Sequence, residues 1–475
     1  MKKVLLLIAL FLPLFSTPLL AQKQGVDTVI LGKWIGTLDF GTAKLRIVFR
    51  ILPDTEKGVT AFLDSPDQGA KDIPVAGVTF EKDSLTLLIP LIGGSYGGRL
   101  DPTSMVMSGI WKQGGSEWPL DLEKTTEETD LKRPQEPKPP FPYEILEFSF
   151  FNAKDSVYLA ATLTMPKSDT PVPAVVLVTG SGPQDRDEAL VGHRPFWVLA
   201  DYLTRQGFAV LRYDDRGFGK STGDFASATT LDFASDADAA VSFLKTRKNI
   251  DASKIGIIGH SEGGIVAPIT AAGNPDVAYI VLIAGPAVTG REIINLQSEL
   301  ISRAEGGDEA EIQKSLKFQS RLFSILESEP DSAKAHELLL ADYKQYMDSL
   351  PDSMKSDETV SAQQRDQALK TVNNPWFRFF LFYDPIPILS QVRCPVLALY
   401  GEKDLQVPPV QNAKVMENAL KAQGIAESKV VVLPDLNHLM QKADTGAISE
   451  YSKIEETINP SALQTISEWL MQVTR

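Results

Sequence analysis

The stretch Lys254-Ile255-Gly256-Ile257-Ile258-Gly259-His260-Ser261-Glu262-Gly263 decides the fold of this 475-residue chain. A short apolar run ends in a Gly-x-Ser-x-Gly pentapeptide, and a helical pattern begins near Gly264. This strand–turn–helix context is typical of a nucleophile elbow, which places a serine hydroxyl at the carboxyl end of a strand. The turn is so tight that small residues must flank the serine. The sequence therefore predicts Ser261 as a nucleophile.

Apolar runs alternate with helical stretches on both sides of this elbow, from Tyr143 onward. Continuous Val/Ile/Leu runs separated by helices indicate a parallel sheet that is covered on both faces. An antiparallel pair at 145–151 and 157–165 precedes them. The predicted parallel strands are Ala174–Thr179, Ala209–Tyr213, Ile255–Gly259, Tyr279–Ala284, Val396–Tyr400 and Lys429–Leu433. The pattern predicts a doubly wound, mostly parallel α/β domain of the α/β-hydrolase class over residues 143–287 and 386–475.

Residues 288–385 interrupt this alternation with helical sequence and no convincing strand. Such an insertion before the last two strands predicts a helical cap over the active site, and a helical decoration away from the site is the alternative. The aromatic-rich run at 374–380 ends the insertion. It is expected either to line an acyl pocket or to pack the insertion onto the core.

Residues 22–123 carry short alternating runs divided by turn signals, which predict an all-β domain, either a small barrel or a sandwich. Trp34 and Trp111 are candidates for its core. Residues 124–142 are expected to form an extended linker, because the stretch 132–140 within them is rich in proline and lacks apolar residues to bury.

The first 21 residues have the features of a secretory signal peptide. Lys2 and Lys3 precede an apolar run that is short for a membrane span, and Ala21 suits the residue before a cleavage site. We expect cleavage after Ala21 and export to the periplasm or the medium, and an uncleaved anchor is the alternative. With one cysteine, Cys394, an internal disulfide is not available, and this residue is expected to be a buried small hydrophobe.

The formal net charge is −14 and the pI is near 4.9. Nucleic acids and anionic membranes require a basic face, so neither is expected as a partner, and stable membrane insertion is not expected after cleavage. With four histidines and one cysteine, no metal-ligand cluster is visible. We expect no metal and no cofactor. The oligomeric state is left open.

A serine nucleophile needs a base, and the candidates are His193, His260, His336 and His438. In the chain order Ser, acid, His, the base follows the last strand, which selects His438. The acid is expected after the preceding strand, within Tyr400-Gly401-Glu402-Lys403-Asp404. We choose Asp404, and Glu402 is the alternative. The acid fixes the imidazole tautomer and stabilises the imidazolium.

The oxyanion hole is expected from backbone N–H groups. One donor is Glu262, the residue after the nucleophile. The other is expected in the Gly-rich loop Thr179-Gly180-Ser181-Gly182-Pro183, where Ser181 is the first choice and Gly182 the alternative. The charged loop at 213–221 is expected to be structural, with carboxylate–arginine pairs around the site.

Three separated motifs resemble the EstD-type bacterial esterases: Gly180-Ser181-Gly182-Pro183-Gln184-Asp185-Arg186-Asp187, Gly259-His260-Ser261-Glu262-Gly263-Gly264 and Leu436-Asn437-His438. These esterases are capped α/β-hydrolases with an added N-terminal β-domain, and the resemblance runs from about Pro142 to the C-terminus. It implies a carboxylesterase that prefers short acyl chains and acts on a small-molecule ester. By motif, Ser261, Asp404 and His438 match the family's triad. The first 100 residues match only loosely.

Two other functions remain open. A serine peptidase or aminopeptidase would use the same triad, and the acidic residues Asp185, Asp187 and Glu188 would then receive a substrate amine. A second possibility is that the N-terminal β-domain binds a glycan, a lipid or a protein while the hydrolase domain works.

Overall fold

The computed structural model describes residues 28–39, 44–56, 58–68, 70–127, 132–348 and 362–475. The expected signal peptide and its cleavage site lie outside the described residues. The chain divides into two compact units. One contains the residues up to Lys132 and the short stretch Leu190–His193, and the other contains the rest of the described chain.

The N-terminal unit is one nine-stranded sheet in which every pairing is antiparallel. Its strands are β1 (Gly32–Asp39), β2 (Lys44–Asp54), β3 (Gly58–Ser65), β4 (Ala70–Val75), β5 (Gly77–Glu81), β6 (Ser84–Ile89), β7 (Gly94–Asp101), β8 (Val106–Gln113) and β9 (Ser116–Thr125). The strand order is β4-β3-β2-β1-β9-β8-β7-β6-β5. The two edge strands, β4 and β5, are separated only by Ala76, so the sheet must curl until its edges approach each other. The unit is therefore barrel-like.

Alternate residues of these strands fill the interior of the barrel. Trp34, Phe49, Tyr96 and Trp111 are all buried there. The Trp34 indole N–H donates to the carbonyl of Ile30, and the Tyr96 hydroxyl donates to the carbonyl of Met107. Both predicted core tryptophans thus lie in the core, and their polar atoms are satisfied without water.

The second unit is built on an eight-stranded sheet in the order β10-β11-β13-β12-β14-β15-β16-β17. Its strands are β10 (Glu144–Asn152), β11 (Val157–Met165), β12 (Val172–Val178), β13 (Ala209–Tyr213), β14 (Ile250–His260), β15 (Val277–Ile283), β16 (Val396–Gly401) and β17 (Lys429–Leu433). The β10–β11 and β11–β13 pairs are antiparallel and the others are parallel. This confirms the predicted mostly parallel α/β sheet.

The strand order reverses at β12, which pairs with β13 on one side and with β14 on the other. The loops that follow β12 and β14 therefore leave the sheet side by side at its carboxyl edge. In open α/β sheets, ligands bind in the crevice at such a switch point. The predicted oxyanion loop and the predicted nucleophile occupy these two loops.

The helices are α1 (Pro195–Arg205), α2 (Thr230–Lys245), α3 (Gly263–Gly273), α4 (Gly290–Ala304), α5 (Glu309–Ser328), α6 (Ser332–Asp348), α7 (Ala362–Val372), α8 (Pro375–Phe382), α9 (Ile386–Leu389), α10 (Pro409–Gln423), α11 (Ile448–Tyr451) and α12 (Pro460–Val473). Helices α4–α8 follow β15 and precede α9 and β16, at the place of the predicted insertion. They have a small core of their own, formed by Leu322, Phe323, Leu326, Leu339, Leu369 and Leu381. No helix of the described residues is long and apolar enough to cross a bilayer.

Part of the segment expected to be a linker is attached to the second unit. The Arg133 guanidinium donates to the carbonyls of Ser452 and Ile454. The Gln135 side chain accepts from the N–H of Thr457 and Ile458 and donates to the Ile458 carbonyl at 2.6 Å. A Pro-rich segment without apolar residues is thus held by hydrogen bonds, which the composition alone did not reveal.

Candidate active site

Ser261 lies in a strained turn between β14 and α3. Its φ of 53° is in the left-handed region, which an L-residue adopts only at a cost. Its N–H donates to the Ile283 carbonyl at 2.8 Å, and its own carbonyl accepts from the N–H of Gly264. A Cβ at Gly259 would lie 1.9 Å from the Gly263 carbonyl oxygen, and a Cβ at Gly263 would lie 2.3 Å from the Val178 oxygen. Both glycines of the pentapeptide are therefore required by the turn.

His438 and Asp404 form a buried hydrogen-bonded pair beyond the last two strands of the sheet. His438 Nδ1 is 2.9 Å from Asp404 Oδ2, and the two residues are 4% and 2% exposed. The other carboxylate oxygen accepts from the N–H groups of Gln406 and Val407, at 2.8 and 2.9 Å. The carboxylate is thereby held in one orientation, and Nδ1 must donate to it. That tautomer leaves Nε2 of His438 as the basic nitrogen.

The structure brings this pair to the elbow through the residue before the serine. The rings of His260 and His438 have centroids 4.8 Å apart, and His260 Nε2 is 3.1 Å from the His438 carbonyl oxygen. The His438–Asp404 pair therefore lies against His260, the residue that precedes Ser261.

The residues set aside by the prediction lie in other environments. The Glu402 carboxylate is exposed and accepts from the Asp435 N–H at 3.0 Å rather than from His438. His336, on α6, is 2.7 Å from Asp366 of α7. His193 is buried in a short turn in which its backbone pairs with that of Leu190.

The loop after β12 passes directly over the nucleophile. A Cβ at Gly180 would lie 3.2 Å from Ser261 Cβ, so glycine is what allows the backbone to approach this closely. Asp215 holds the loop from below, because it accepts from Thr179 Oγ1 at 2.8 Å and from the Gln184 N–H at 2.9 Å. The N–H groups of Ser181, Gly182 and Glu262 donate no hydrogen bond within the part of the chain that the structure describes. They are therefore free to receive an oxyanion.

The Glu262 side chain is a feature that the sequence did not predict. It is 2% exposed, and its Oε1 accepts from Thr230 Oγ1 at 2.7 Å and from Trp376 Nε1 at 2.8 Å. Its Oε2 is buried, and the side chain of Ser181, on the loop after β12, also acts on this carboxyl. Burial raises the pKa of this carboxyl, against the hydrogen bonds that lower it. Only its backbone N–H had been singled out, because the pentapeptide motif specifies nothing about this side chain.

Glu188 and His260 form a second unpredicted pair. His260 Nδ1 is 2.8 Å from Glu188 Oε1, which also accepts from the Gly180 N–H at 2.8 Å. Both residues are buried. No sequence signal links a glutamate with a histidine 72 positions away.

The acidic residues considered as amine receptors already have partners within the protein. Asp187 pairs with Arg212, and Asp185 Oδ1 accepts from the N–H groups of Asp187 and Ala189. Glu188 is occupied by His260 and Gly180. Among the described residues, Asp187 and Glu188 thus pair with a basic side chain, whereas Asp185 accepts only backbone N–H groups.

The loop at 213–221 pairs carboxylates with arginines, as predicted. Asp214 Oδ1 accepts from Arg186 Nε at 2.8 Å, and Arg216 Nε donates to Asp236 Oδ2 at 2.7 Å. Both pairs are at least partly buried, so they tie the loops after β12 and β13 to the body of the unit. Among the described residues, no group of three or more His, Cys, Asp or Glu side chains is arranged to hold a metal ion.

Residues 196–442, more than half of the chain, match the sequence profile of the Hydrolase_4 family, described as serine aminopeptidase, S33. The chain belongs to this family. It is therefore a serine hydrolase with the α/β-hydrolase fold, as the pentapeptide and the sheet predicted.

Two known proteins are similar in sequence to this chain, over different lengths. Esterase EstD of Thermotoga maritima is 28% identical over 327 residues, which are 66% of this chain and 66% of the relative. The resemblance to EstD-type esterases is thus confirmed. The uncharacterized protein YfhR of Escherichia coli K12 is 28% identical over 106 residues, which are 21% of this chain and 36% of that protein.

The solved structures that are similar to this chain are more distant in sequence. A hypothetical protein of Pseudomonas aeruginosa has a TM-score of 0.43 at 17% identity, covering 74% of this chain and 98% of its own. An esterase of Pyrococcus furiosus has a TM-score of 0.42 at 14% identity, and the match covers 74% of this chain and 100% of the esterase.

Proposed function

We propose that this hydrolase is an exported carboxylesterase that cleaves short-chain acyl esters through Ser261, His438 and Asp404. The observation that carries the proposal is the 2.9 Å contact between His438 Nδ1 and Asp404 Oδ2, beside an elbow that holds a serine at positive φ. Serine hydrolases pair a base with an orienting acid in this way and use a serine on such an elbow as the nucleophile. The similarity to a relative named as an esterase supports the choice of esters.

In the proposed acylation step, His438 Nε2 takes the proton of the Ser261 hydroxyl while Oγ attacks the ester carbonyl carbon. The negative charge that develops on the carbonyl oxygen is received by the N–H groups of Ser181 and Glu262. Each such donor contributes about 3–4 kcal/mol to transition-state stabilisation. The C–O bond to the alcohol then breaks, and His438 gives its proton to the departing oxygen.

In deacylation, His438 takes a proton from a water molecule, whose oxygen attacks the acyl-enzyme carbonyl. The same oxyanion donors act again, and collapse of the tetrahedral intermediate returns the proton to Ser261 Oγ and releases the acid. Asp404 stays ionised throughout and stabilises the imidazolium that forms in each half of the reaction.

The description of the family as serine aminopeptidase supports a second candidate, cleavage of aminoacyl amides by the same residues. Against it, Asp187 is paired with Arg212 and Glu188 with His260, which leaves one carboxylate of the three, that of Asp185, to receive a substrate ammonium group. Ester cleavage needs no such group, which is why it is preferred.

The decisive experiment compares p-nitrophenyl acetate, butyrate and octanoate with matched aminoacyl p-nitroanilides, using purified protein and its Ser261→Ala variant. We expect ester turnover that falls from butyrate to octanoate, little anilide turnover, and loss of all turnover in the variant by on the order of 10⁴-fold or more. A fluorophosphonate should label wild-type protein at Ser261. Unchanged ester turnover in the Ser261→Ala variant refutes the nucleophile, and faster anilide cleavage than ester cleavage refutes the esterase.

Export is part of the proposal and has its own test. Protein recovered from a bacterial periplasm or medium should begin at Gln22, by mass spectrometry of the intact chain. A variant with Lys2 and Lys3 replaced by Glu, which removes the basic start of the leader, should accumulate uncleaved inside the cell. Cleavage that is equally efficient in both chains would contradict this interpretation of the leader.

A further inference from the structure

The histidine that precedes the nucleophile has no role in the proposed proton transfers, yet it is buried at the centre of the site. His260 is 6% exposed, and both of its ring nitrogens face oxygen atoms. Nδ1 is 2.8 Å from Glu188 Oε1, and Nε2 is 3.1 Å from the carbonyl oxygen of His438.

These contacts fix the protons on the His260 ring. A carbonyl oxygen only accepts hydrogen bonds, so Nε2 must carry a proton. Glu188 Oε1 accepts from the Gly180 N–H at 2.8 Å, as an ionised carboxylate does, and beside an ionised carboxylate Nδ1 carries a proton as well. A ring that donates from both nitrogens is an imidazolium, and its counter-ion is the Glu188 carboxylate.

The surroundings favour this buried ion pair. Burial lowers the pKa of His260, but the charge and hydrogen bond of Glu188 and the carbonyl of His438 outweigh it, and the pKa is raised. The other ionisable groups that act on the pair are Asp404, beyond His438, and Asp215, below the oxyanion loop. Apolar side chains of α1, β15 and α12, including Phe196, Ile283 and Ile466, enclose a cavity of about 20 Å³ beside it. In so apolar a place, a charge-assisted hydrogen bond is strong.

The pair connects three segments whose relative positions matter for the proposed reaction: the oxyanion loop, the elbow and the backbone of His438. Glu188 holds the N–H of Gly180, whose Cα carries no side chain because Ser261 Cβ lies so close. His260 belongs to the elbow itself. Its Nε2 holds the backbone of His438, whereas Asp404 holds only the ring of that residue.

We infer that Glu188 and His260 are positioning residues of the hydrolase, a carboxylate–imidazolium pair that holds the oxyanion loop and the backbone of the general base against the elbow. The inference rests on the proposed function, since it assigns the pair to the same reaction. Without the pair, the Ser261 hydroxyl keeps its place in the elbow. The general base and the oxyanion loop are then displaced from their positions. Losses of this kind reduce kcat more than KM, because ground-state binding does not depend on them.

The first test reads the charge state of His260 in the wild-type protein, and variants serve only to assign the resonances. With nitrogen-15 in the histidine rings, both nitrogens of His260 should show protonated shifts and bound protons at pH 7, where an unperturbed ring has lost most of its charge. The resonances are assigned by their loss in His260→Gln, or by elimination with His193→Gln, His336→Gln and His438→Gln. A neutral His260 at pH 7 overturns the inference.

The second test measures kcat and KM for p-nitrophenyl butyrate in Glu188→Gln and His260→Gln. We expect kcat to fall by about 10²-fold with KM within about threefold, because base and donors are misplaced while binding persists. The low-field Nδ1 proton of His438, bonded to Asp404, should shift in both variants, which a remote loss of stability would not cause. In Glu188→Gln, the His260 ring should become neutral near pH 7.

The matched control is the other histidine–carboxylate pair, His336 and Asp366, whose contact is 2.7 Å and lies within the helical insertion. His336→Gln should leave kcat and the His438 proton unchanged. If wild-type protein cleaves esters and both Glu188→Gln and His260→Gln retain more than half of kcat, the positioning role is wrong while the proposed function stands. If wild-type protein cleaves no ester, the proposed function fails, and the ring protonation of His260 still decides the charge state of the pair.

Discussion

The indole N–H of Trp376 donates to the carboxyl of Glu262 across 2.8 Å. Trp376 belongs to α8 of the helical insertion, and Glu262 is the residue that follows Ser261. The same carboxyl oxygen accepts from Thr230 Oγ1, at the start of α2. The insertion is therefore hydrogen bonded to the residue whose backbone N–H is proposed to stabilise the oxyanion, and a change in the insertion can reach the elbow through one side chain.

Replacing Trp376 by Phe should remove this hydrogen bond and keep most of the packing of the ring. The smaller ring can still stack on Phe380, whose ring centroid is 5.6 Å away in the native protein, but it has no N–H. Loss of a partner by a buried carboxyl costs about 1–3 kcal/mol, which should appear as a lower midpoint of urea unfolding. We also expect kcat/KM to fall by about 3- to 10-fold, because the elbow is held less firmly.

The control for Trp376→Phe is Thr230→Val, which removes the other donor to the same oxygen and leaves the insertion untouched. It should lower stability by a similar amount. If the double variant loses as much unfolding free energy as the two single variants lose together, the two donors act independently. Unchanged stability and turnover in Trp376→Phe would contradict a link between insertion and elbow.

The buried Glu262 carboxyl predicts a pH dependence of stability. Burial raises its pKa above the ordinary value near 4.5, so the folded protein binds more protons at this group than the unfolded chain does between these two pKa values. Its contribution to stability is thus present below pH 4.5 and is lost as pH rises through the folded-state pKa. Glu262→Gln keeps an oxygen acceptor for Thr230 and Trp376 and does not ionise.

Urea unfolding of wild type and Glu262→Gln, from pH 4 upward, measures the difference between their unfolding free energies directly. The variant should match wild type near pH 4 and become the more stable protein as pH rises, by on the order of 1 kcal/mol for each pH unit within the window. The pKa of Asp215 is also raised, by burial and in part by the charge of Glu262, so the coupling between these two carboxyls is included in the measured difference. A difference that is constant with pH would show that Glu262 titrates normally.

The triad candidates could be predicted from the sequence because each occupies a position with a rule. Ser261 is fixed by the pentapeptide, and Asp404 and His438 by the order of residues after successive strands. The contacts of Glu188 with His260 and of Glu262 with Trp376 follow no such rule. They join residues 72 and 114 positions apart, of types common in any loop or helix, and only the folded chain brings them together.

The fold, too, could be predicted from the sequence only in part. The runs Ala209–Tyr213 and Lys429–Leu433 were predicted with the bounds that the structure gives, because continuous apolar runs mark buried parallel strands. The choice between barrel and sandwich in the N-terminal unit was open, since alternation with a period of two is common to both. It depends on where the edge strands β4 and β5 lie, and this follows from tertiary pairing rather than from any local pattern.

Asp404 and Glu402 were both candidates for the acid, and their contacts now predict different outcomes. Asp404→Asn retains shape, but an amide facing His438 Nδ1 favours the wrong tautomer, so kcat should fall by about 10³- to 10⁴-fold. Glu402→Gln changes an exposed side chain whose partner is the N–H of Asp435, so kcat should stay within about twofold. Steady-state kinetics on p-nitrophenyl butyrate distinguish the two. A larger loss in Glu402→Gln would reverse the assignment.

The hydrogen bonds of Arg133 and Gln135 predict where the second unit begins. Thr457 and Ile458 are buried, and Gln135 satisfies the N–H groups of both. A fragment that starts at Lys132 keeps these contacts, whereas one that starts at Tyr143 leaves buried donors without a partner. At about 1–3 kcal/mol for each unsatisfied group, the shorter fragment should be less stable by several kcal/mol.

Gln135→Ala in the full-length chain makes the same test without truncation. It should lower the unfolding midpoint of the hydrolase unit, and Gln113→Ala, in the N-terminal sheet, serves as the matched glutamine control and should leave that midpoint unchanged. Thermal unfolding followed by ester turnover reports on the hydrolase unit alone, because the proposed catalytic residues all lie there. Equal midpoints for the two fragments and for Gln135→Ala would show that the segment at 132–142 is only a spacer, as its composition had suggested.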